Sequence, residues 1–167
     1  MTPLPASLGG TELVGWRLDN AQHASSWDSG EGSYRAGRRW NSKGVRAVYC
    51  ALDPSTAILE IAVHTGFEVL DIVPHILTAF NVIDLNSVHV VEPSAIPDPA
   101  WLRPGTPTSG QQAFGTNLLT HHKFILIPSA VSPHSWNLIF TPAAAGAYSL
   151  RSQENFALDP RLQVSRH

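Results

Sequence analysis

The sequence predicts a single α+β domain, a class that rests on three observations. Short apolar runs with strand character, such as RAVYCAL at 46–52 and FILIPSAV at 124–131, recur along the chain between turn-forming residues. Helical signals are fewer, giving about six strands against two or three helices. The 167 residues, 43% hydrophobic and 14% charged, suffice for one core but not comfortably for two.

Residues 1–10 are rich in Pro, Gly and Ser and read as a loose lead-in, so the domain is assigned to 11–167, with regular structure beginning near Thr11. Leu13, Val14, Trp16 and Leu18 mark a first strand that carries Arg17. Residues 19–37 show neither helical nor alternating period and read as a loop, long enough to suggest a functional one, leading into Arg38-Arg39-Trp40-Asn41. After the strand at 46–52, Asp53 is an N-cap and Pro54 sits at the first helical position, which predicts a helix from Pro54 to His64. Its Ala, Ile, Leu and Val residues cover nearly the whole circumference, the pattern of a helix buried on more than one side. A strand at 78–85, a proline-rich surface excursion at 91–110 and a second helix at 111–122 follow. Strands at 124–131, 136–140 and 154–158 complete a strand-rich C-terminal half.

Charge and cysteine content narrow the function. Eleven Lys and Arg against 13 Asp and Glu leave no global field to attract nucleic acid. The single Cys50 excludes an intramolecular disulfide, and the chain shows neither a signal-peptide pattern nor an apolar run of the ~18 residues a membrane span needs. A cytoplasmic location is expected. His121 and His122 are adjacent, the wrong spacing for two ligands on one helical face, so no metal is expected. Dinucleotide-fold and P-loop glycine motifs are absent, and Ser129 has no nucleophile elbow around it.

The residues that stand out chemically are Glu60, a group of arginines, two aromatics and Ser129. A carboxylate among Ala, Ile, Leu and Val needs a partner or the edge of a wet cleft; the alternative is an exposed stripe shared with His64 one turn later. Arg17 in its strand, with Arg35, Arg38 and Arg39 around a glycine, offers planar forks suited to pyrophosphate, or simply surface ion pairs or a nucleic-acid patch. Trp40 and Tyr49 are placed to stack on a heteroaromatic ring or to fill the core. Ser129 follows an apolar strand, where a hydroxyl often satisfies backbone.

Taken in order, these segments resemble the RES family, named for an Arg, a Glu and a Ser. The resemblance runs through Trp16-Arg17, then Gly37-Arg38-Arg39-Trp40-Asn41 at the family's glycine-glycine-arginine-tryptophan-asparagine motif, then Val48-Tyr49-Cys50. It continues with Ser55-Thr56-Ala57, Leu59-Glu60 and His64, and with Ile127-Pro128-Ser129-Ala130-Val131, Asn137 and Pro142. The terminal Asn155-Phe156-Ala157-Leu158-Asp159-Pro160-Arg161-Leu162 closes it. One departure stands out: Arg38 replaces the second motif glycine, and the family arginine is assigned to Arg39.

The resemblance implies a fold similar to ADP-ribosyltransferase toxins and a toxin that breaks NAD+ between nicotinamide and ribose, by hydrolysis or phosphorolysis. NAD+ is then the substrate, with no prosthetic group. Glu60 is expected to stabilise the oxocarbenium-like transition state, and Arg17 and Arg39 to hold the pyrophosphate. Tyr49 is expected to stack on or bond near the nicotinamide ribose, Trp40 to contribute to binding the dinucleotide, Ser129 to bond ribose or nicotinamide, and Asn137 to support them. The implied partner is an Xre-like helix-turn-helix antitoxin that blocks the cleft. ADP-ribosyl transfer to another acceptor, and a non-enzymatic or RNA-binding module, are the competing readings.

Overall fold

The computed structural model describes residues 12–162, so the lead-in expected over 1–10 lies outside the described residues. Seven strands form one sheet: β1 (Val14–Asn20), β2 (Val48–Ala51), β3 (His75–Val82), β4 (Val88–Val90), β5 (Phe124–Pro128), β6 (Trp136–Phe140) and β7 (Tyr148–Phe156). Their order is β4-β5-β6-β2-β1-β3-β7, with β4 parallel to β5 and every other pair antiparallel. Four α-helices accompany them: α1 (Glu31–Ala36), α2 (Pro54–Thr65), α3 (Phe67–Ile72) and α4 (Ser109–His121). The α+β class expected from the sequence is the class observed.

Alternation along β5 and β6 divides two cores between the faces of the sheet. Phe124, Leu126, Trp136, Leu138 and Phe140 pack with Trp27, Phe80 and Val48 on one face. Ile125, Ile127 and Ile139 pack with Trp40, Val91 and Leu119 on the other, where α4 lies. A third cluster of Leu18, Ala62, Leu70 and Leu158 fastens α2 and α3 to β1. Asn137 shares its strand face with Ile139, so the same period that buries the isoleucine turns a polar amide toward the second core's side.

The sheet is weakest in its middle. β1 pairs with β3 over seven registers, yet with β2 at one position only, Trp16 with Ala51. Arg17 spans the opening, its Nη1 donating to the Tyr49 carbonyl at 2.9 Å.

Several elements differ from expectation. The segment 19–37 is not all loop: Asn20 caps a 3-10 turn over Ala21–Ser26, and α1 follows between Gly30 and Gly37, both at positive φ. These pieces are too short and polar to show a period. Helix α2 is capped by Asp53 as expected, with Thr56 N–H donating to its Oδ1 at 2.8 Å, but it is buried along one face only, through Thr56, Ala57 and Ala62. Leu59 and Val63, 37% and 60% exposed, border an open cleft rather than a second core. Helix α3 and the three-residue β4 were not anticipated, β3 begins at His75 rather than 78, and β7 begins at Tyr148 rather than 154. β7 is a sheet edge with mostly exposed, polar side chains, so its sequence carries little apolar alternation. No described helix is long and apolar enough to cross a membrane.

Helix α4 approaches the turn after Arg39 so closely that a Cβ on Gly115 would lie 2.1 Å from the Trp40 carbonyl oxygen. Replacing glycine by alanine in a helix ordinarily stabilises by about 1 kcal/mol. Here overpacking against backbone reverses the sign, and we expect Gly115→Ala to destabilise by about 1–3 kcal/mol, read as a lowered Tm in thermal denaturation.

Candidate functional site

A cleft of about 1330 Å³ opens beside the β1–β2 gap, lined by the exposed side of α2, the 37–40 turn and the 104–107 segment. Glu60 points its carboxylate at the start of β6. Both of its protein hydrogen bonds fall on one oxygen: Ser129 Oγ donates to Oε1 at 2.9 Å and Asn137 Nδ2 donates to it at 3.0 Å. The second oxygen, Oε2, has no hydrogen-bond partner among the described residues. Two buried donors, from the end of β5 and from β6, thus hold a half-buried carboxylate by one side.

In this structure Ser129 is engaged by the protein itself. Its hydroxyl has one hydrogen, which goes to Glu60, and its oxygen accepts the backbone N–H groups of Val131 and Ser132 at 3.2 and 3.0 Å. Ser129 is 4% exposed and absent from the cleft lining.

Trp40 borders the cleft but is largely enclosed by the second core. Its indole is 2% exposed and packs edge-on against Trp101 and Phe114, while its backbone N–H donates to the Tyr49 hydroxyl at 3.0 Å. That hydroxyl donates in turn to Asn41 Oδ1 at 2.7 Å. Burial raises the Tyr49 phenol well above its ordinary value, so it stays protonated and keeps this donation. Asn41, fully buried, uses its amide on the carbonyls of Ser33, Ser42 and Val45 at 3.1, 3.2 and 2.9 Å. It was read in the sequence only as part of a motif. Asn after Trp at a loop was the signal, because a buried amide that saturates several carbonyls can fix a turn in one conformation.

The arginines divide. Arg17 donates to Asp19 Oδ2 at 2.9 Å as well as to the Tyr49 carbonyl, and its buried Nε has no partner. Register places it across from Cys50, whose thiol burial pushes up to about 12 against the opposing pull of Arg17. Arg39 stands near Glu60 and Tyr49, but its guanidinium clamps the proline-rich segment: Nη1 donates to the carbonyls of Trp101 and Arg103, each at 3.2 Å, and Nη2 to Gly105 at 3.1 Å. Desolvation draws its pKa down and Glu60 draws it back up. Arg38 makes no side-chain hydrogen bond or ion pair among the described residues. His64 sits on the cleft rim, its pKa lowered first by desolvation and then by Arg38. The structure therefore brings Glu60, Ser129, Asn137, Tyr49 and Arg39 together around one end of the cleft, and sets Arg17 across the β1–β2 gap.

Because three carbonyls share one guanidinium, Arg39→Ala should release the cleft wall. We expect faster amide hydrogen exchange confined to residues 99–107, with the strands unchanged; equal protection in wild type and variant would show that the clamp contributes nothing.

The model of the RES domain matches residues 14–160 of this chain. A protein named "Toxin Res" from Photorhabdus laumondii is 28% identical over 90% of this chain and 97% of its own length. Another "Toxin Res", from Pseudomonas putida, is 30% identical over 90% of this chain and 99% of its own. A "Prs ADP-ribosylating toxin" from Sphingobium sp. is 29% identical over 88% of this chain and 94% of its own. Among solved structures, a chain of the M. tuberculosis MbcT–MbcA toxin–antitoxin complex shares the fold with a TM-score of 0.70 and 22% identity, over 88% of this chain and 85% of that one. With a match across nearly its full length, this chain belongs to the RES domain family.

Proposed function

We propose that this chain is the toxin of a toxin–antitoxin pair and that it consumes NAD+ by breaking the bond between nicotinamide and ribose. The observation that carries the reading is Glu60, held by Ser129 and Asn137 through one oxygen and left with the other free beside a cleft large enough for a dinucleotide. When the glycosidic C–N bond breaks, its electron pair leaves with nicotinamide, which becomes neutral, and positive charge develops on the ribose. A fixed carboxylate next to that carbon stabilises the cation, and an acceptor then adds to it. Water, phosphate or another nucleophile gives hydrolysis, phosphorolysis or transfer. No prosthetic group enters this chemistry.

In this reading Ser129 and Asn137 are positioning residues for Glu60. Tyr49 stiffens the turn that carries the arginines, and Arg17 and Arg39 keep the cleft walls cationic while their forks hold the protein itself. Transfer of ADP-ribose to a macromolecule is the second reading, favoured by the name of the Sphingobium relative. The toxin names carried by the relatives support an antitoxin partner, which we propose is an Xre-like helix-turn-helix protein covering the cleft along the apolar rim of Leu59 and Val63.

Nicotinamide release from NAD+ by purified protein, with and without phosphate, tests the reading. Glu60→Gln preserves shape without charge, and we expect turnover to fall about 10²-fold or more. Intact turnover in a folded Glu60→Gln protein would remove the carboxylate from the mechanism. For Ser129→Ala the expected signature is a kcat lower by about tenfold, from one lost charge-assisted bond, with KM little changed. A rise in KM alone would mean that Ser129 contacts substrate. Labelled ADP-ribose found on protein rather than free would favour transfer.

A further inference from the structure

Among the charged residues lining the cleft, the ionic contacts are unevenly shared. Arg17 pairs with Asp19 at 2.9 Å, Arg35 pairs with Glu31 at 2.9 Å, and Glu31 also binds Arg46. Arg39 is bound to three carbonyls. Arg38 alone of the four cleft arginines has no side-chain hydrogen bond or ion pair among the described residues. Arg38 nevertheless lines the same cleft as Glu60, Tyr49 and His64.

The backbone beneath it is held firmly. Arg38 N–H donates to the Asn41 carbonyl at 3.1 Å, and its own carbonyl accepts Gln112 Nε2 at 2.9 Å. Gly37 precedes it with φ +68, where an added Cβ would crowd the Lys43 nitrogen at 3.1 Å and the Gln112 amide at 3.2 Å. The turn is thus fixed before any ligand arrives, while the fork at its tip is unengaged. An unpaired guanidinium on a preorganised base, facing a cavity, is built to receive an oxyanion bidentately.

We propose that Arg38, rather than Arg39, takes the diphosphate of the dinucleotide. This deepens the reading of the cleft as an NAD+ site and rests on it. Arg38 then determines affinity for the phosphate-bearing part of the substrate, and Arg39 shapes the wall against which that part lies. This chain carries Arg38 where the motif it resembles has glycine.

Binding of ADP and of adenosine, measured calorimetrically on the full chain, tests the assignment independently of turnover. Wild type should bind ADP more tightly than adenosine. Arg38→Ala should weaken ADP about tenfold or more and leave adenosine unchanged, the loss expected for one charge-assisted contact. Arg38→Lys, a point charge without the fork, should fall between, and Arg39→Ala should weaken ADP less than Arg38→Ala does. Arg38 has no side-chain partner to lose, so its variants should keep the wild-type Tm. The proposal is overturned if Arg38→Ala binds ADP as wild type does, if adenosine weakens equally, or if wild type shows no preference for ADP. Inorganic phosphate binding as tightly as ADP would also overturn it, in favour of a free-anion site. A cleft that binds ADP through Arg38 yet releases no nicotinamide would retain this assignment and refute the proposed reaction.

Discussion

Everything about the cleft depends on β1 and β2 touching at a single register, Trp16 with Ala51. A fully zipped pair would close the middle of the sheet. One paired position keeps the sheet continuous and lets the two halves part. Arg17 supports the parting by donating to the Tyr49 carbonyl, so a side chain supplies a bond that a strand neighbour would otherwise provide. The aromatic core of Trp27, Phe80, Phe140 and Tyr148 draws residues of both halves together, with Trp27 also reaching the cleft lining.

A buried polar network then sets the geometry of the turn at the cleft mouth. Asn41 gathers three carbonyls, Tyr49 links Asn41 to the Trp40 N–H, and Gln112 and Thr116 tie the same turn to α4. The Asn41 amide and the Tyr49 hydroxyl both have partners, which makes this network rigid rather than costly. Gly115 permits the contact by letting α4 come up to the Trp40 carbonyl. The consequence is electrostatic: two adjacent arginines are presented, from a hydrogen-bonded turn, to the cleft that Glu60 also lines.

The carboxylate is treated in the same way from the other side. Glu60 sits on the cleft face of α2, which Asp53 and Pro54 start at a defined residue. Ser129 and Asn137 come from the strand ends across the cleft and bind one oxygen. Helix start and strand register together decide where the negative charge stands, and the charge needs no buried cation to keep it there.

Much of this was legible in the sequence. The strands at 46–52, 124–131 and 136–140 announce themselves because they are buried on both faces, and the Asp53-Pro54 start of α2 is chemistry read directly from residue types. The ordered motifs singled out Glu60, Ser129 and Asn137, and the structure joins these three by hydrogen bonds. What the sequence did not carry was direction and pairing. α1, α3 and β4 are too short for a period, and β7 is an exposed edge without an apolar face. Whether Ser129 touches a ligand or a carboxylate, whether Trp40 stacks or fills the core, and which of two neighbouring arginines is engaged depend on groups tens of residues away. Sequence by itself determined the fold class, the helix start and the identity of the charged groups, because these follow from local propensity and hydrophobic period. Only the tertiary structure decided which donor meets which acceptor, because a hydrogen bond is satisfied by whatever the rest of the chain brings within about 3 Å.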